Sequence, residues 1–138
     1  MPHYAIPQHV FAGKNALEEA ASYIKKCGRS PLIVTGKHVG KSPMYEKLTR
    51  ILEQEEITYR TFDGITGEPT DKMIEEGLSL YRESSCDFVI GIGGGSPLDS
   101  AKAIAAMSVS PGEISDYMGK EITGEIPAIV AIPTTAGT

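Results

Sequence analysis

The sequence predicts an α/β fold: a parallel sheet with helices on both faces and short amino-terminal edge strands. Three observations carry this expectation. Short apolar runs with β-branched and aromatic content recur at Pro31 to Thr35, Asp87 to Ile92 and Ala128 to Ile132. Glycine or proline closes each run, at Gly36, Gly93 and Pro133. Between them lie stretches of helical periodicity long enough for the crossovers of βαβ units.

Taken in order, Tyr4 to Phe11 is short, mixed and interrupted by Pro7, which suits edge strands or a hairpin followed by a turn at Gly13-Lys14. Asn15 is placed to cap a helix, with Glu18 three residues on completing a capping box. Leu17, Ala20, Ala21 and Ile24 form its apolar stripe, and Gly28 ends it. Pro31 to Thr35 is the first buried strand. Ser42-Pro43 opens a second helix whose face carries Met44, Leu48, Ile51, Leu52 and Glu55. Ile57 to Phe62 alternates as a strand, and Asp63 to Pro69 reads as a Gly-rich loop. Thr70 caps a third helix with Ile74, Gly77, Leu78 and Tyr81 on one face. Asp87 to Ile92 is the next strand, followed by a glycine turn and a fourth helix to about Met107. Ser110-Pro111-Gly112 breaks that helix, Ile114 to Met118 suits one short turn, and Ala128 to Ile132 is the last strand.

With 138 residues the chain is one domain's worth, enough for a full core. Hydrophobic residues make up 41% and charged residues 22%, the balance of an ordinary globular protein. A net charge of −5 leaves no electrostatic footprint for nucleic acid or acidic membranes. Cys27 and Cys86 stand alone, without CxxC spacing, so a disulfide framework is not expected and a reducing, cytoplasmic setting is. No apolar run reaches membrane-spanning length, and the start Met-Pro-His-Tyr lacks a signal-peptide pattern.

The chemistry concentrates in Gly91-Ile-Gly-Gly-Gly-Ser-Pro-Leu-Asp-Ser-Ala-Lys-Ala-Ile-Ala105. Ser96 reads as the helix N-cap, Pro97 as the first helical residue and Asp99 as the far end of a capping box. Leu98, Ala101, Ile104 and Ala105 mark one apolar face, with alanines that let the helix lie close to a sheet. Strand, glycine turn and helix N-terminus together aim unpaired N–H groups and the positive end of a helix dipole at one spot, which favours a phosphate. Gly91-x-Gly93 begins like a dinucleotide fingerprint, but Ser96 stands where its third glycine should be. No Gly-Lys-Ser/Thr follows, which excludes a P-loop. Three consecutive glycines, Gly93, Gly94 and Gly95, exceed what a turn needs, and close backbone approach to a ligand accounts for them better. In an open parallel sheet the ligand sits beyond the carboxyl ends of the strands, where Thr35-Gly36-Lys37, Gly91 to Ser96 and Pro133-Thr134-Thr135 are expected to converge. The histidines, His3, His9 and His38, form no i,i+4 pair or Cys/His cluster, so no metal ligands and no catalytic residues are assigned.

The glycine stretch, followed about thirty residues later by Ala131-Ile-Pro-Thr-Thr-Ala-Gly-Thr138, resembles the iron-containing alcohol dehydrogenase family. Asn15-Ala-Leu, Leu32-Ile-Val-Thr35 and Phe88 to Gly93 also sit where that family has them, so the resemblance covers the whole chain. It implies a Rossmann-like dinucleotide-binding domain over residues 1–138, with the helical metal-binding domain expected after Thr138 absent. Gly93, Gly94, Gly95, Ser96, Asp99, Thr134 and Thr135 are then cofactor-binding residues, Asp99 less securely because a carboxylate repels phosphate. Glu68-Pro69-Thr70 departs from the family's Asn-Pro-Thr, and that contact is not carried over. NAD-dependent members tend to place an aspartate where Gly36 stands. Its replacement by glycine opens space, and Lys37 or His38 supplies positive charge, which favours NADP, with NAD as the other option.

The function implied is hydride transfer between a primary alcohol or aldehyde and nicotinamide, with iron or zinc held by the full-length protein and not by this fragment, which alone is expected to be inactive. A homo-oligomer is expected, with a dinucleotide and a small alcohol or aldehyde as partners. Two alternatives stay open: a related glycerol or polyol phosphate dehydrogenase, and a non-catalytic nucleotide-binding module.

Overall fold

The computed structural model describes residues 8–12, 15–39, 42–109 and 126–134. Among them, five strands, β1 (Gln8–Val10), β2 (Pro31–Gly36), β3 (Arg60–Ile65), β4 (Phe88–Gly93) and β5 (Ile129–Pro133), form one sheet in the order β1-β5-β4-β2-β3. Every neighbouring pair is parallel. Four helices accompany them: α1 (Ala16–Cys27), α2 (Pro43–Gln54), α3 (Asp71–Glu83) and α4 (Gly95–Ser108). The expected α/β architecture with a parallel sheet is what the chain forms.

Both faces of the sheet are covered, which is why the central strands read as unbroken apolar runs instead of alternating ones. Leu17, Ala20 and Ile24 of α1 and Leu48 and Leu52 of α2 pack on Ile33, Phe88, Ile90, Ile92, Val130 and Ile132. On the opposite face, Ile74, Leu78 and Tyr81 of α3 and Ala101, Ile104 and Ala105 of α4 pack on Leu32, Val34, Val89 and Ile129. Residues of consecutive number thus fall into different cores, as the two-residue period of a strand requires. Truncating a fully buried member such as Phe88 to alanine would cost about 3–5 kcal/mol. Close approach of α4 follows from its small residues, since a Cβ on Gly91 would lie 3.0 Å from that of Ala101.

Two expected caps form. Ser42 Oγ accepts from the Tyr45 N–H at 3.2 Å, with Pro43 in the first turn, and Thr70 Oγ1 accepts from the Met73 N–H at 3.2 Å. Two others do not. Asn15 makes no side-chain cap bond, and Glu18, its expected capping-box partner, reaches instead to Lys47 of α2. That hydrogen bond holds the Glu18 carboxyl below its ordinary range. The second case, Ser96, is described with the site.

The second strand of the βαβ series begins later than the sequence suggests. Ile57 is spent on closing α2: its N–H donates to Leu52 O at 2.8 Å, with Glu56 at φ 59° ahead of it. The strand therefore starts at Arg60 and runs through Asp63-Gly64-Ile65, which the sequence reads as loop. An edge position, with Arg60 and Asp63 exposed and only Ile65 buried, gives it little apolar pattern to announce it. At the other edge, β1 joins β5 as a single parallel strand. The rest of the expected amino-terminal hairpin, its Gly13-Lys14 turn and the turn at Ile114 to Met118 lie outside the described residues.

Candidate functional site

The chain leaves β2 for β3 on one side, then returns to place β4 on the other side of β2. Loops at the carboxyl ends of β2 and β4 consequently diverge, and a crevice opens between them. It is a cleft of about 390 Å³. One wall is the chain after β2, Gly36 to Val39; a second is Ile65-Thr66-Gly67 at the end of β3; the third is the first turn of α4, Gly94 to Pro97.

The three consecutive glycines have different reasons to be glycine. Gly93 sits at φ 137°, a conformation that L side chains rarely adopt, and a Cβ there would meet the Pro97 ring at 3.1 Å. Gly94 and Gly95 have no such need. Gly94 is extended at φ −82°, ψ −164°, and a Cβ at either position would meet nothing within 4 Å. Among the described residues, neither packing nor backbone geometry explains their lack of side chains.

Gly94, not Ser96, is the N-cap of α4, and the helix starts at Gly95. The extended glycine takes the cap conformation without a side chain, and its carbonyl receives the first helical bond, from the Leu98 N–H at 3.3 Å. Ser96 and Pro97 fall within the first turn, where N–H groups have no intrahelical acceptor and proline's missing one costs nothing. Ser96 lines the cleft, and its carbonyl accepts from Ser100 Oγ at 2.7 Å. The capping box with Asp99 accordingly does not form. Asp99 is exposed, lies 3.8 Å from Lys102, and is not on the cleft wall.

Of the remaining expected residues, Gly36 and Lys37 line the cleft. A Cβ on Gly36 would lie 3.2 Å from the Ile65 carbonyl oxygen, so the backbone of β3 crowds this position. Thr134 flanks the glycine turn through its N–H, which donates to Gly93 O at 3.0 Å, but it does not line this cleft. Thr135 lies outside the described residues. His38, Val39, Ile65, Thr66 and Gly67 complete the lining. Of these, the sequence offers only His38, as a source of positive charge; Ile65, Thr66 and Gly67 go unmarked because its loop-like pattern ends β3 too early. Among the described lining residues there is no carboxylate. Lys37 and the positive end of α4 both favour an anion.

Burial pushes the Cys27 and Cys86 thiols up, which suits neither to nucleophilic chemistry. Among the described residues no group of three or more His, Cys, Asp or Glu side chains is placed to hold a metal ion. These residues do not fit a metal centre, and no step through one is derived from them. No helix among them is long and apolar enough to cross a membrane.

The iron-containing alcohol dehydrogenase family model matches residues 7–138. The chain belongs to that family. Among iron-containing alcohol dehydrogenase relatives, alcohol dehydrogenase 4 of Schizosaccharomyces pombe is 39% identical over 98% of this chain and 32% of its own length. The NAD-dependent methanol dehydrogenase of Bacillus methanolicus is 31% identical over 100% of this chain and 37% of its own. A crystal structure of 1,3-propanediol oxidoreductase superposes with a TM-score of 0.87 at 34% identity, covering 100% of this chain and 37% of that one. The chain thus spans about a third of the length of the relatives it matches.

Proposed function

We propose that these residues are the cofactor-binding part of a nicotinamide-dependent alcohol dehydrogenase that transfers hydride between a primary alcohol or aldehyde and the nicotinamide ring. One observation carries the reading: Gly94 and Gly95 are bare in open space at the N-terminus of α4. Backbone N–H groups there can close on a pyrophosphate without a Cβ in the way. The chain's own contribution is to fix the dinucleotide by its phosphates, so that the ring is presented in one orientation.

NADP is the finer reading. Gly36 offers no carboxylate to repel a ribose phosphate, and Lys37 stands beside it on the cleft wall. The Bacillus methanolicus relative, named as NAD-dependent, weighs toward NAD. Placing aspartate at position 36 is a poor test of this choice, because Ile65 O crowds the site. Lys37→Gln is a better one, and it should weaken NADPH binding more than NADH binding.

Titration calorimetry of the chain against NADPH, NADH, ATP and a sugar phosphate tests the class of ligand. Binding confined to the sugar phosphate would favour a polyol phosphate enzyme, and binding of ATP alone a nucleotide module without redox chemistry. We further propose that the chain by itself gives no turnover with short alcohols or aldehydes and added iron(II) or zinc(II). Chelator-sensitive turnover would show that reading to be wrong.

A further inference from the structure

We propose that His38 makes the cleft's discrimination between ligands depend on pH, so that a dinucleotide with an added ribose phosphate is favoured increasingly as pH falls. This rests on the dinucleotide reading of the cleft. Elimination along the walls singles the residue out. The segment after β2 contributes Lys37 and His38, both exposed; the segment after β3 contributes Thr66 and Gly67; the first turn of α4 contributes no charged side chain. The nearest acids in sequence to these walls, Asp63, Glu68 and Asp99, are exposed and off the lining, and Asp99 faces Lys102.

Lysine keeps its charge across the neutral range, whereas imidazole as a class gains or loses one between about pH 5 and 8. Among the described lining residues His38 carries the one imidazole. Position matters as much as charge. His38 lies two residues beyond Gly36, on the wall apart from the glycine turn that takes the pyrophosphate, so its charge acts on whatever the ribose end carries. An exposed imidazolium beside a phosphate should alter affinity about two- to fivefold, and the effect should shrink as salt screens it. The ligand cannot mimic this signal. A phosphate monoester itself takes up a proton near about pH 6, which weakens its attraction as pH falls and so acts in the opposite sense.

The test is calorimetric titration of the chain with NADPH and with NADH at about pH 6 and about pH 8, at low and moderate salt. In the wild type the NADPH:NADH affinity ratio should be about two- to fivefold higher at the acid pH. His38→Gln should remove that rise while both ligands still bind, and His38→Arg should keep the ratio at about pH 8 no lower than at about pH 6. A ratio that rises on acidification as much in His38→Gln as in the wild type overturns the proposal. A wild type that binds both dinucleotides with a ratio that does not rise on acidification overturns the role of His38 alone. Failure to bind either one overturns the cofactor reading and this inference with it. Preference for NADH throughout, with a ratio that still moves through His38, supports the inference and refutes only the NADP reading.

Discussion

A Cβ on Gly28 would lie 2.5 Å from Oδ1 of Asp87, so the carboxylate fills the space that any other residue at position 28 would need. The next two residues of the chain hold the carboxylate there. Asp87 Oδ2 accepts from the Arg29 N–H at 2.8 Å and Oδ1 from the Ser30 N–H at 2.9 Å. The Asp87 N–H in turn donates to Ser30 O at 2.9 Å. One carboxylate thereby fixes the turn from α1 into β2 and the entry to β4.

Gly28→Ala should lower stability by about 1–3 kcal/mol, since the methyl must displace a group bonded to two N–H donors. Its φ of 162° is extended and carries no conformational penalty, so the loss is steric. Denaturant unfolding of a double-mutant cycle checks this. In an Asp87→Ala background the Gly28→Ala change should cost markedly less, and equal costs in both backgrounds would break the claimed link.

Gly93 and Gly94 are adjacent yet should respond oppositely. Gly93→Ala should destabilise the fold by roughly 1–2 kcal/mol, because of its positive φ and the contact with Pro97. Gly94→Val should leave the circular dichroism unchanged and cost the fold at most about 1 kcal/mol, at the N-cap, while weakening dinucleotide binding at least tenfold, about 1.4 kcal/mol. Unaltered affinity in Gly94→Val would remove the phosphate assignment.

Helices α2 and α3 each end with a residue in the left-handed region that is not glycine, Glu56 at φ 59° and Ser85 at φ 54°. Both ends carry the paired bonds of a Schellman motif: Ile57 N to Leu52 O and Glu56 N to Glu53 O, then Cys86 N to Tyr81 O and Ser85 N to Arg82 O. Glu56→Gly and Ser85→Gly should each stabilise by up to about 1 kcal/mol, the relieved strain exceeding the added chain entropy. Chemical unfolding of each variant would read the gain.

Tyr81 links stability to alkaline pH. Burial pushes its phenol up to about 12 from the ordinary 10, against a smaller opposing effect of the hydrogen bond with Ser108. A group whose neutral form is favoured by folding keeps its contribution below the unfolded pKa and loses it as pH rises above that value. Stability should hold to pH 10 and fall by roughly 1–2 kcal/mol toward pH 12. Tyr81→Phe should flatten that fall, which equilibrium unfolding between these pH values would show.

The sheet, its parallel sense and most helix faces are legible in the sequence because the buried strands are continuous apolar runs and because Ser42-Pro43 and Thr70 carry caps that form. The edge strand β3 is legible only in part. Its register depends on how α2 closes, and Glu56 is not a residue whose type announces a left-handed turn. The start of α4 escapes a local reading for a related reason: a serine before a proline is the stronger signal, but the extended Gly94 ahead of them takes the cap. For the site, the glycines, Ser96 and Lys37 can be read from spacing. The wall at Thr66 and Gly67 cannot, since tertiary packing alone brings it opposite α4.

Pairing of β1 with β5 also orders the events by which the molecule is made. Gln8 lies beside Ile129, its partner about 120 residues later in the chain. During synthesis β1 must wait, without its β5 partner, until Ile129 has emerged. Meanwhile β2 can pair with β3 and then β4 as each arrives, because these belong to consecutive units. Among the described strands, β1 is therefore the last to be secured. An interruption of synthesis before Ile129 would leave β1 without a neighbour among the described strands and would also expose the flank of β4 that β5 covers.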